Sequence, residues 1–259
     1  AFYRYGRRDV WCSTGALPAG VRLATAKRGG VTITRVEIAR EGLAKPRGRY
    51  VTLEMPSVSV LDERDAAVIE TCAAELRALL PPEGPVLVLG IGNRRVTADA
   101  LGPRTAQKIL VTMGPQHTLP VKASGRWPPL RRGAGLHRAD SAPAGRGHGG
   151  SGAASGLICV DSLCSAEGAR LGRSVQFSDT GLYPAQADHA KHLNAAALGV
   201  PVIAAGIPTL MDSDEGADLV VTPRALDSVI AHGSALLAGA INRALQPRLS
   251  VAQLFWLAG

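Results

Sequence analysis

PVLVLGIGNRRVTADALGP, residues 85–103, decides the fold. Its first eight residues are an apolar run of strand length, preceded by Pro81 and Pro82, and such a run reads as a buried parallel strand. Gly90 and Gly92 let the chain turn sharply after it. The loop carries Asp99, and a helix is expected from about Leu101 to Val111 with Pro103 in its first turn. A second apolar run, LICVD, ends in Asp161. In an open α/β sheet, chemistry collects outside the carboxyl ends of parallel strands. Two carboxylates there can share a proton and divide acid and base roles.

Strands and helices alternate outward from this stretch. VTITRVEIA (31–39) and RYVTLEMP (49–56) alternate as half-buried strands do, and together suggest an antiparallel edge hairpin. Asp62 is placed to cap a helix running to about Leu80, with Val68, Ile69, Cys72, Leu76 and Leu79 on one face. Residues 156–161, 173–179 and 200–206 read as further strands, and 218–223 as a short one. Residues 188–198 read as a helix. Thr222 and Pro223 form an N-cap and first-turn pair for a last helix ending near Leu245. The expected fold is α/β: a three-layer α/β/α sandwich with a mostly parallel sheet and an N-terminal antiparallel hairpin.

The 259 residues carry a formal net charge of +8, concentrated in two segments. Arg4, Arg7, Arg8, Arg22, Lys27 and Arg28 against Asp9 give +5. Lys122, Arg126, Arg131, Arg132, Arg138 and Arg146 against Asp140 give another +5, which leaves −2 elsewhere. The folded part is therefore not basic, and direct nucleic-acid binding is not expected of it. Residues 123–156 hold nine glycines, five arginines and three prolines, without hydrophobic period. Burial cannot offset the ordering entropy of such a tract. No apolar run is long enough to span a bilayer, and the opening has no apolar core of a secretory signal. Cys12, Cys72, Cys159 and Cys164 follow no disulfide framework, which fits a reducing, cytoplasmic compartment.

LVLGIGNRRVTADALGP, CVDSLCSAEGARLGRSVQFSDTG, LGVPVIAAGIPTLMD and DLVVTPRALDSVIAHGSALLAGAINRALQP resemble, in this order, blocks of the spore germination protease family of endospore-forming bacteria. VTITRVEI and RYVTLEMP match its N-terminal strands. The resemblance covers about 30–121 and 156–250. It implies an endopeptidase that begins degradation of small acid-soluble spore proteins at germination, made as a zymogen in the developing spore and assembled as a homotetramer. It also implies a fold similar to that of hydrogenase maturation proteases, no cofactor, and a location in the forespore or spore core. The family's two essential aspartates match Asp99 and Asp161. Asn93 is then expected to orient the Asp99 loop, and Asp179 and Thr180 to line the same rim.

Three places depart from the family pattern: the opening RYGRRDVW, the Arg/Gly/Pro tract, and YPAQADHAKH after SDTG. Reading one base later lets the codons of Tyr5–Asp9 spell Thr-Asp-Val-Ala. The same shift at Leu136–Ala139 allows Tyr-Thr-Gly-Leu. Out-of-frame translation of a GC-rich gene is the resulting hypothesis, and the gene sequence tests it. Residues 1–29 are accordingly taken as an irregular remnant of the propeptide region. Residues 30–259 are taken as one peptidase domain, with a disordered or frameshift-like tract at 122–156.

On residue pattern alone, Asp99 reads as a helix N-cap and Asp161 as a strand-end turn residue; the matched motifs tip both towards catalysis. GIGN lacks the third glycine of a dinucleotide site and the Gly-Lys of a P-loop. Cys159, Cys164, His189 and His192 match no common zinc spacing. Two alternatives remain: a metal-dependent peptidase of the maturation type, and a catalytically dead scaffold or basic binding module.

Overall fold

The computed structural model describes residues 17–43, 45–61, 65–112, 154–165, 167–182, 193–212 and 220–258, with backbone alone at 3–4, 136–140, 212 and 220. Ten strands form one sheet: β1 (Tyr3–Arg4), β2 (Val21–Arg28), β3 (Val31–Ile38), β4 (Gly48–Glu54), β5 (Pro85–Gly90), β6 (Leu136–Asp140), β7 (Gly156–Ser165), β8 (Ser174–Ser178), β9 (Val202–Asp212) and β10 (Val220–Val221). The helices are α1 (Ala66–Arg77), α2 (Leu101–Ala106), α3 (Ala195–Leu198), α4 (Leu226–Leu245) and α5 (Val251–Ala258). The fold is mixed α/β.

Strand order is β2-β3-β4-β8-β9-β7-β5-β6. Only β5–β7, β7–β9 and β1–β7 pair in parallel; β2–β3, β3–β4, β4–β8, β8–β9, β5–β6 and β9–β10 are antiparallel. This corrects the expectation of a mostly parallel sheet. β8 returns between β4 and β9 as an antiparallel strand, and its alternating SVQFS pattern does not announce a direction. The 31–38 and 48–54 strands do pair as a hairpin, but β2 takes the edge position. The supposedly irregular opening thus contains a strand. Its middle residues are exposed, so VRLATAKR lacks the alternation that marks a half-buried strand. Most of 122–156 lies outside the described residues. Within it, the backbone of β6 pairs with β5 over Val86–Leu89 and Pro85.

Alternation along β7 assigns two apolar layers. Ile158 and Val160 pack with Val68, Ile69, Cys72 and Leu76 of α1 and with Ile230, Leu237 and Ile241 of α4. Leu157, Cys159 and Leu163 pack on the opposite face with Leu182, Leu193, Leu198 and Val200. The only helix described on that second face is the four-residue α3. α1 is capped by Asp65, whose carboxylate accepts from the Val68 N–H, rather than by Asp62, which lies outside the described residues. α4 starts at Leu226 with no side-chain cap, so the Thr222–Pro223 signal marks the turn ahead of it and not its first residue. Arg35 binds Glu75 through Nε at 2.6 Å and Nη2 at 2.5 Å, tying β3 to α1.

Candidate active site

β5 and β7 run side by side and stop at different heights. Gly90 closes β5 opposite Val160, and the Ile91 N–H still donates to the Val160 carbonyl at 2.8 Å. Asp161 is therefore the first β7 residue beyond its β5 neighbour. β7 continues to Ser165, paired with β9 on one side and with β1 at Leu163 and Cys164 on the other. Asp161 is inside a strand, not at its end. Its side chain shares the face of Cys159 and Leu163, and it is fully buried at 0% exposure.

The chain leaving β5 folds back over this position. Gly90 and Gly102 approach so closely that a Cβ on Gly90 would strike the Gly102 carbonyl. Gly92 has φ +124°, and a Cβ there would strike the carbonyl oxygen of Asp99. A side chain at either place would force the loop off the strand end. Asn93 then grips Asp99 through its backbone: its N–H lies 2.8 Å from Oδ2 and 3.0 Å from the Asp99 carbonyl oxygen. Its side chain instead accepts from the Arg95 N–H at 3.0 Å. Thr209 of β9 donates to the Ala98 carbonyl at 3.0 Å, anchoring the loop from the far side. Asp99 is 7% exposed and is not the cap of α2, whose N-cap is Ala100 with no side-chain bond.

The two acids have matching environments. Asp99 Oδ2 accepts from Asn93 and Asp161 Oδ1 from the Ser162 N–H, at 2.8 Å each. Asp99 Oδ1 and Asp161 Oδ2 are buried without a hydrogen-bond partner among the described residues. Burial raises both carboxyls. Asp161 is pushed well above the usual carboxylate range, first by burial and then by the charge of Asp99. The charge of Asp99 thus disfavours ionisation of Asp161.

Asp179 and Thr180 stand elsewhere, and this corrects their placement on the rim. Ser178 pairs with Ala204, which pairs with Cys159, whereas Asp161 lies level with Gly206 and Gln176. Antiparallel β8 therefore carries Asp179 and Thr180 towards the amino ends of β7 and β9, away from the two acids. There Asp179 binds the Arg49 N–H and Nε, both at 2.7 Å, and the Thr180 hydroxyl bonds Ser178. Cys159 and Cys164 are both buried, and burial raises the Cys159 thiol far out of the nucleophilic range. His189, His192 and Cys12 lie outside the described residues. Among the described residues, no three His, Cys, Asp or Glu side chains group as metal ligands.

Sequence comparison defines the chain as a peptidase. A family model described as germination protease matches residues 14–123 and 154–215. Germination protease of Clostridium perfringens is 28% identical, over 85% of this chain and 86% of its own length. That of Clostridium acetobutylicum is 26% identical over 95% of both chains. That of Caldanaerobacter subterraneus subsp. tengcongensis is 33% identical over 75% of this chain and 64% of its own. The chain belongs to the germination protease family. It is a hydrolase of spore germination, and among its described residues no helix is long and apolar enough to cross a membrane.

Proposed function

We propose that this endopeptidase begins the degradation of small acid-soluble spore proteins during germination, with Asp99 and Asp161 as its acid/base pair. The observation that carries the assignment is the pair of buried, unpartnered oxygens, Asp99 Oδ1 and Asp161 Oδ2, one on each of two coupled acids. Buried polar atoms are rarely left unpaired without a functional reason. In the reading we favour, the more deeply buried Asp161 is the acid that carries the proton and the less buried Asp99 is the ionised one. The Asp99 carboxylate takes a proton from the attacking water. The Asp161 carboxyl supplies one to the leaving amine, and proton exchange between the two acids restores the starting state.

Several finer features accompany this reading. The sheet with an apolar layer on each face fits a three-layer sandwich of the hydrogenase-maturation-protease type. One peptidase domain takes in β2 together with residues 30–259, since β2 is the edge strand of its sheet; the residues ahead of β2 retain part of the propeptide region, and 122–156 holds an insert or a frameshift product. Assembly is a homotetramer, and the site of action is the forespore and spore core.

Incubation with a small acid-soluble spore protein at neutral pH tests the proposal, beside Asp99→Asn and Asp161→Asn. Cleavage should fall about 10²- to 10⁴-fold in either variant. Equal cleavage by parent and variants would remove the two acids from the chemistry. No cleavage by any of them would favour the scaffold reading. Inhibition by a chelator, reversed by added divalent metal, would favour the maturation-type peptidase.

A further inference from the structure

We propose that Gln176 is a third catalytic residue, whose side-chain amide donates to the scissile carbonyl oxygen and stabilises the charge that develops there. The inference rests on the reading of Asp99 and Asp161 as the acid/base pair. Its starting observation is a register. Asp161 stands opposite Gly206, and Gly206 stands opposite Gln176, so the three form one row across β7, β9 and β8. Residues directly opposite each other in a sheet share a face. Gln176 is therefore on the side of Asp161, while its neighbour Phe177 packs with Val160 on the other. Two strand spacings, about 10 Å, separate the Cα positions of Asp161 and Gln176. Gly206 puts no side chain between them, and a Cβ there would strike the Asp161 carbonyl and the Leu163 side chain. A peptide unit with a hydrogen bond at each end measures about 8 Å, which fits that interval.

The fold does not use the Gln176 carboxamide. The residue is 8% exposed, yet its side chain makes no hydrogen bond among the described residues. Asn242 shows what a structural carboxamide does here: its Oδ1 accepts from the Leu110 N–H and its Nδ2 donates to the Lys108 carbonyl. Ser174, on the same face of β8, is fully buried, and its Oγ also has no partner among the described residues. Asp161 Oδ2, the Gln176 carboxamide and Ser174 Oγ thus leave polar atoms of one sheet face open to a polar ligand. Beyond Gln176 the row continues through half-buried Thr52 and Thr34 to exposed Thr25, so it opens to solvent at the sheet edge. The two acids leave one chemical need unmet. As the water oxygen bonds to the scissile carbon, Asp99 takes the water proton and the carbonyl π pair moves onto oxygen. That oxyanion requires a donor until the C–N bond breaks, Asp161 protonates the amine and the carbonyl re-forms. The Gln176 amide supplies an uncharged N–H for this oxygen, in a buried site where such a bond is strongest.

The test uses Gln176→Met, which keeps the length and removes the amide, and Gln176→Glu, which replaces the donor by an acceptor. In cleavage of a small acid-soluble spore protein, kcat should fall about 10²- to 10³-fold in both, with KM nearly unchanged. The pH–rate profile should keep the parent's shape, because the acids are untouched. A displaced profile would make Gln176 a group that tunes Asp161, and would overturn the direct contact. A peptide with a phosphinate in place of the cleaved bond mimics the tetrahedral oxyanion. Gln176→Met should bind it about 100-fold more weakly than the parent does. The uncleaved peptide should bind equally well to Asp99→Asn and to Asp99→Asn/Gln176→Met. Unchanged kcat, or an equal loss of affinity for both peptides, would reduce Gln176 to packing. If Asp99→Asn cleaves as well as the parent, the acid pair fails, and phosphinate binding still reports on Gln176 by itself. Denaturation midpoints check the fold of each variant, and if Gln176→Met does not fold, the near-isosteric Gln176→Glu carries the comparison.

Discussion

Asp161 ties stability to pH through one proton. Its folded carboxyl is raised above the unfolded value, so between about pH 4 and the raised value the folded state binds more protons than the unfolded one. Stability from this group is therefore fully present below about pH 4 and is lost as pH rises through the folded value. Asp161→Asn removes that loss. In denaturant melts near pH 7 the variant should exceed the parent by about 1 kcal/mol or more, with the two converging towards pH 4. A variant that is less stable at pH 7 would contradict the raised carboxyl. Ser162 is also fully buried, and its hydroxyl has no partner among the described residues. Ser162→Ala should stabilise by about 1 kcal/mol, read from the shift of the denaturation midpoint. Gly92→Ala should act differently, because its Cβ would meet the Asp99 backbone. Activity should fall with the displaced loop, while far-UV circular dichroism stays that of the parent.

Among the elements, β3 and α1 meet through an ion pair that is easily isolated. Glu75 is largely buried and Arg35 half exposed. Arg35→Met leaves the carboxylate without its guanidinium, at a cost of about 2 kcal/mol; solvent at Arg35 keeps this below the cost for a fully buried pair. Arg35→Met/Glu75→Met should recover most of the loss in a double-mutant cycle. Additive losses would show that the pair does not couple. The elements also differ in how readable they are. The runs at 85–90 and 202–206 are strongly apolar, and 174–178 reads as strand from the alternation of Val175 and Phe177 with polar residues. β7 is less legible past Asp161, because SLCS carries two serines and becomes strand only where β1 and β9 flank it. β2 gave a weaker signal still, with Gly29–Gly30 as the hairpin mark and no buried alternation.

Across the whole molecule, α5 closes the helix layer and was missed because its apolar residues extend beyond the family-like blocks. Leu254 is buried against that layer, while Trp256 on the same helix is 84% exposed. Leu254→Ala should cost about 2–5 kcal/mol, and Trp256→Ser should stay within about 0.5 kcal/mol, both from chemical denaturation of the parent and variants. A large loss at Trp256 would mean that this face is covered in solution. Sedimentation equilibrium would then report the four-chain mass that the proposed tetramer requires.

The sequence alone determined the local pieces: the apolar strand before Asp99, the run before Asp161, the α1 and α4 faces, and the order of motifs that marks the family. Periodicity and turn chemistry act over a few residues, so these survive without knowledge of neighbours. Tertiary structure alone decided that β8 runs antiparallel, carrying Asp179 and Thr180 to the far end of the sheet. It alone left one oxygen of each acid buried and, among the described residues, unpaired. Burial and strand direction depend on which distant segment packs alongside, and a linear pattern does not record that.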